Sequence, residues 1–182
     1  IPADAAGRER PEHQAVPRPR LNRRLADIVH SGVVVIHAGA GYGKTALLRD
    51  WIAGVGTEFD VVSIELTSPN EDEFAGRLAD ELGLQSSDDQ ALDLPVVVAA
   101  LSRAARTRRR PVVLVVDESG VQGAAEIARN LATCLAQRPP ELMVIIAGRE
   151  VDISDWRRVA ADRQPVEIDE RDLRFDDTEA RQ

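Results

Sequence analysis

Apolar residues arrive in two rhythms along this chain, and the two alternate. Short, mostly apolar runs at 33–37, 61–66, 111–116 and 142–147 predict strands, and 166–168 predicts a brief last one. Between them the apolar positions recur every three or four residues. Leu21, Leu25, Ile28 and Val29 follow the turn marked by Pro17 and Pro19; Phe74, Leu78 and Leu82 form a second set, and Val97, Leu101 and Ala105 a third. Further helices are expected at 44–54 and 122–136, with a polar loop from Gln85 to Asp93 and a polar lead-in over 1–15. The 111–116 run is apolar on both faces, as a strand inside a parallel sheet must be. Strands separated by helices predict an α/β fold: a parallel sheet with helices on both sides.

The first strand runs into Ala38-Gly39-Ala40-Gly41-Tyr42-Gly43-Lys44-Thr45, and a helix follows. Strand, small-residue turn, lysine, hydroxyl and helix in that order make a phosphate-binding loop. Gly39, Gly41 and Gly43 are expected to permit φ > 0, so that successive N–H groups converge on an anion. The helix N-terminus, Ala46 included, points unsatisfied N–H groups at the same place. Lys44 would reach the β- and γ-phosphates, and Thr45 would bind Mg²⁺. Ala38 stands where the general pattern has glycine.

Composition sharpens this reading. Every other one of the 23 basic side chains is arginine, so Lys44 is the single lysine of the chain. An ammonium fits a backbone cradle that the wider guanidinium fork does not. A net charge of −8 speaks against nucleic acid as a direct partner of this segment, and no apolar stretch is long enough to span a membrane. Aromatics make up 3% of the 182 residues, so the core must be aliphatic. Cys134 is the one cysteine and reads as a structural thiol. The chain opens on Ile1 with no signal peptide, which reads as a cytoplasmic piece of a longer protein.

Two further constellations stand where strands end. Asp117-Glu118 follows an aliphatic run, and a carboxylate at the carboxyl edge of a parallel sheet lies where ligands bind. Asp117 would hold Mg²⁺ and Glu118 would polarise an attacking water. Arg149, after Ala147-Gly148, would emerge at the same edge and contact the γ-phosphate. Other residues read more plainly. Arg106, Arg108, Arg109 and Arg110 make a solvated helix end, Trp51 a core residue, and His37 a packed one. Trp156 reads as an exposed contact or a satellite core.

With these segments on the page, the chain resembles the signal-transduction ATPases with numerous domains (STAND), and among them the large LuxR-type, MalT-like regulators. The resemblance rests on Val16-Pro17-Arg18-Pro19-Arg20-Leu21, on Ala40 to Thr45, on Asp117-Glu118, on Arg149, and on Asp172-Leu173-Arg174-Phe175 with Glu179-Ala180. It implies a three-layer P-loop NTPase of the ASCE type with strand order 5-1-4-3-2. The domain would cover residues 16–182 and stop where a helical lid begins. It also implies that Pro19 and Arg20 lie near the base and sugar, and that ATP or ADP with Mg²⁺ is the ligand. Lid, sensor and output domains would lie elsewhere in the same chain, with ATP-dependent self-association. Ser119 and Gly120 replace the aromatic and histidine common after the paired acids, and Gly148 replaces the usual serine.

These observations carry a nucleotide-gated switch with slow ATP hydrolysis. The alternatives are a P-loop phosphotransferase or AAA-like ATPase, and a module that binds nucleotide without hydrolysing it.

Overall fold

The computed structural model describes residues 18–84, 92–118, 120–160, 163–176 and 179. Its elements run α1 (Pro19–Val29), β1 (Val33–His37), α2 (Lys44–Gly54), β2 (Asp60–Leu66), α3 (Glu71–Glu81) and α4 (Leu94–Thr107). They continue with β3 (Val112–Glu118), α5 (Ala124–Leu135), β4 (Leu142–Gly148), α6 (Ile153–Trp156) and β5 (Val166–Ile168). The five strands form one sheet in the order β2-β3-β4-β1-β5, and every pairing is parallel. Read from its other edge this is 5-1-4-3-2, the expected ASCE order.

Alternation along the strands builds the three layers. Val33, Val35, Val112, Leu114, Val116, Leu142, Val144 and Ile146 face one side and pack with α3, α4, α5 and α6. Val34, Ile36, Val113, Val115, Met143, Ile145 and Ala147 face the other and pack with α1 and α2. Because β3 and β4 are covered on both faces, every residue in each is buried. A half-exposed strand would show polar positions at period two; these central ones show almost none.

Three local readings change. The strand expected over 111–116 continues through Glu118, so both acids are sheet residues: Asp117 pairs in register with Glu65 and Ala147, and Glu118 with Leu66. The short helix α6 was not read from the sequence, because four residues are too few to show a helical period. His37 is not packed away: its side chain is 46% exposed, and Nδ1 lies 3.7 Å from Glu167 on β5. The 1–15 lead-in lies outside the described residues, as does most of the Gln85–Asp93 loop. Trp51 is buried as expected, and Arg106 to Arg110 are exposed. Cys134 packs partly buried against the α4–α5 side, and burial pushes its thiol pKa up. Among the described residues no helix is long and apolar enough to cross a membrane.

Candidate functional site

Parallel strands all end on one edge, and β1, β3 and β4 deliver their last residues there together. The turn after β1 is tied to that edge by Ala38 N–H, which donates to Gly148 O at 3.2 Å. Ala38 itself is 1% exposed, its methyl packed in the apolar layer beneath α2. Left-handed backbone occurs at Gly41 (φ 80°) and Gly43 (φ 77°), as the turn requires. Gly39 departs from expectation, since its φ is not positive. Gly43 caps α2 with no side-chain hydrogen bond, so the first N–H groups of that helix are left for an anion.

Lys44 is 8% exposed. Its Nζ donates to Ala38 O at 2.6 Å and to Gly39 O at 2.8 Å. An ammonium has three donors, so one remains for a ligand. Burial lowers the Lys44 pKa, and the neighbouring Asp117 carboxylate opposes that shift most. In turn, burial raises the Asp117 pKa, while a hydrogen bond from the Thr45 hydroxyl and the charge of Lys44 pull it down. Thus Lys44, Thr45 and Asp117 meet, although Asp117 comes from a strand two positions away across the sheet.

Glu118 is 4% exposed, and burial together with nearby Glu150 raises its pKa against Lys44 and Arg149. Asp117 Oδ1 and Glu118 Oε2 are both buried without a hydrogen-bond partner. An Asp117 oxygen lacking a donor, beside the Thr45 hydroxyl, fits the hard oxygen donors that Mg²⁺ takes, and the Glu118 oxygen is left for another proton or water. Among the described residues no cluster of three or more His, Cys, Asp or Glu side chains could cage a metal alone.

A cleft of about 670 Å³ opens above these groups. Ala40, Gly41, Gly43, Lys44, Thr45 and Ala46 line one side, and Glu118 and Arg149 the other. Arg49 also lines it and was missed from the sequence, although its place one turn after Thr45 puts it on the same helix face. Tyr42 packs partly into the apolar layer instead. Pro19 and Arg20 do not line the cleft. Pro19 is exposed at the start of α1, and Arg20 Nη2 donates to Asp172 O (2.9 Å) and Arg174 O (3.1 Å) and pairs with Glu179 (3.8 Å).

The two glycines that depart from the resemblance have a steric reason. A β-carbon at Gly120 would lie 2.7 Å from Arg149 Cζ, so the guanidinium rests where a larger residue would put its side chain. Gly120 also has φ 79°, which strains any other residue. A β-carbon at Gly148 would overlap Glu118 Oε2 and Val151 Cγ2. Gly148→Ser is therefore expected to cost about 1–3 kcal/mol of stability through overpacking. Urea unfolding reads this as a lower midpoint at constant m-value, and an unmoved midpoint would show that Glu118 swings aside without cost.

Comparison with known proteins agrees with this fold. Residues 27–153 match the family described as AAA domain. The whole chain aligns at 26% identity with the HTH-type transcriptional regulator MalT of Cronobacter sakazakii. It spans only 21% of that protein's length. The Walker-type ATPase of Pyrococcus abyssi superposes with a TM-score of 0.57 at 16% identity, over 92% of this chain and 56% of its own. The ADPNP–ADP complex of the Aeropyrum pernix ORC2 protein gives 0.57 at 18%, over 87% of this chain and 50% of its own. These structures share the P-loop fold.

Proposed function

The chain belongs to the AAA domain family, and from that premise we propose that it is the ATP- and ADP-binding switch domain of a larger regulator, reset by slow ATP hydrolysis. One observation carries the reading. The single lysine is already seated on the carbonyls of Ala38 and Gly39, with its remaining donor available beside the uncapped start of α2.

In this reading the backbone of Ala40 to Ala46 receives the phosphates, with the N–H groups at 41–46 as donors. Gly39 and Ala38 form the rear wall that seats Lys44. Thr45 Oγ, and Asp117 through water, would hold Mg²⁺, which neutralises charge between the β- and γ-phosphates when bound. Glu118 has an unpartnered oxygen, and its raised pKa marks a carboxylate able to take a proton from a water placed in line with the γ-phosphate. Arg149, across the cleft, contacts the γ-phosphate and so distinguishes ATP from ADP.

The energetics suit a switch. A charge-assisted hydrogen bond from Arg149 to the γ-phosphate is worth about 1.5–3 kcal/mol. It would shift a ratio of two conformations by about 10- to 150-fold, and only such differential contact can move that ratio. The MalT proteins this chain resembles are named as transcriptional regulators and are much longer, so the conformational output would lie in other domains.

Titration calorimetry with MgATP and MgADP tests the binding claim, and phosphate release tests hydrolysis. Glu118→Gln should keep ATP affinity within about threefold and lower turnover at least about 100-fold. Unchanged turnover in that variant would remove Glu118 from the chemistry. If neither nucleotide bound the wild-type chain, the whole reading would fall.

A further inference from the structure

The turn that cradles the anion is gripped from behind by a segment far away in sequence. After β5 the chain passes Glu170, whose Oε1 accepts the Gly39 N–H at 3.0 Å. Three residues on, Leu173 is 2% exposed and belongs to the same apolar layer as Leu47 and Ala38. That burial anchors the segment under the loop. The second grip runs through Arg18, which is 4% exposed. Its Nη1 donates to Tyr42 O at 3.4 Å and lies 3.8 Å from where a β-carbon of Gly43 would stand. Its Nη2 donates to Leu173 O and faces Glu179 Oε2 at 3.7 Å, while the guanidinium sits 4.6 Å from the centre of the Phe175 ring. Glu179 is itself held: its Oε2 accepts from Asp176 N, and Asp176 Oδ1 accepts from Glu179 N, a reciprocal capping box.

We infer that Glu170 and Arg18 are positioning residues for nucleotide: together they brace the phosphate-binding loop at Gly39 and Tyr42 against residues 169–176 and Glu179. The inference rests on the nucleotide-binding reading above. Gly39 and Glu170 do not line the phosphate cleft, so the carboxylate supports the loop from outside and does not compete for the anion's place. A loop already held in its binding shape loses less freedom when ligand arrives, so the brace raises affinity through preorganisation. By linkage, nucleotide must tighten residues 169–176 by the same factor that the brace tightens nucleotide. Neither residue is a phosphate contact, and the links from Gly39 to Glu170 and from Arg18 to Leu173 each cross more than a hundred positions and leave no local sequence signal.

The test compares MgADP binding by calorimetry in wild type, Glu170→Ala, Glu170→Gln, Arg18→Lys and Lys44→Ala, alongside amide hydrogen exchange with and without MgADP. Glu170→Ala and Arg18→Lys should each weaken binding about tenfold. Glu170→Gln, whose amide oxygen still accepts the Gly39 N–H, should stay within about threefold. Lysine at 18 keeps the charge but cannot span Tyr42 O and Leu173 O as a guanidinium fork does. Without ligand, exchange in the weakened variants should quicken at 39–43 and 169–176 and not in β3 or β4. Added MgADP should slow exchange at 169–176 in wild type but not in those variants.

Wild-type affinity in both Glu170→Ala and Arg18→Lys, with Lys44→Ala unable to bind, would overturn the brace and leave the nucleotide site standing. Tighter binding in Glu170→Ala would also overturn it, since Glu170 would then oppose the phosphate. Faster exchange throughout the sheet would reduce both residues to general stabilisers. Wild-type affinity in Lys44→Ala would remove the nucleotide site, and the brace with it.

Discussion

Lys44→Ala is expected to lower MgATP and MgADP affinity by about 100-fold or more, with the fold intact. The ammonium is nearly buried, and two of its donors are spent on Ala38 O and Gly39 O, which fixes the direction of the third. Truncation removes that donor and leaves the two carbonyls without a partner. It also removes the cation that draws the Asp117 and Glu118 carboxyls toward their charged forms, so both are pushed further up. The phosphates would then meet two acids with less cationic charge between them. Lys44→Arg should fail nearly as badly, because a planar fork cannot sit between the two carbonyls as a tetrahedral ammonium does. Calorimetry with a circular dichroism check reads both variants. Affinity within threefold of wild type in Lys44→Ala, on a folded protein, would mean that this turn is not where nucleotide binds.

Trp156→Ala should cost about 3–5 kcal/mol of stability, the upper range for a single core truncation. Trp156 is 1% exposed and belongs to the main apolar layer with Val151, Val159, Ala160 and the odd-numbered face of β1. The short helix that carries it packs against α5 and β1. Domains of this kind are stable by about 5–15 kcal/mol, so the variant would sit near the edge of folding. Denaturant unfolding with an unchanged m-value gives the number. A loss below about 1 kcal/mol would mean that the surrounding side chains close the space, and that Trp156 contributes little to the layer.

Much of this was legible from the chain alone, and the reason is locality. The strands β1, β3 and β4 are nearly continuous apolar runs and β2 alternates apolar with polar positions, while α1, α3, α4 and α5 repeat their apolar positions over two or more turns. The phosphate-binding turn is contiguous, because strand, turn, lysine and helix must follow one another for the backbone to curl around an anion. Lys44, Thr45 and the glycines therefore declare themselves. Asp117, Glu118 and Arg149 were placed by a topological rule: in a parallel sheet every strand ends on the same edge.

What depends on side chains meeting across the fold could not be read that way. The contact of Thr45 with Asp117 needs β3 and β1 held on either side of β4, and strand order is not a property of any one run. The same sheet edge brings Arg149 against Gly120 and Glu118 against Gly148, contacts between strand ends that add to the local constraints from the Gly120 φ and from Val151. Trp156 looked like an exposed contact or a satellite until the crossover from β4 folded it onto the main core. Glu170 carries no local pattern, and the proline-arginine motif that includes Arg18 does not show what its guanidinium holds, because a hydrogen bond to one peptide N–H or C=O constrains a single atom and leaves no period behind. The chain alone therefore determined the glycine-rich turn with its lysine and the strands that deliver acids and arginine to the same edge; tertiary packing decided which of those groups touch and what packs behind the turn.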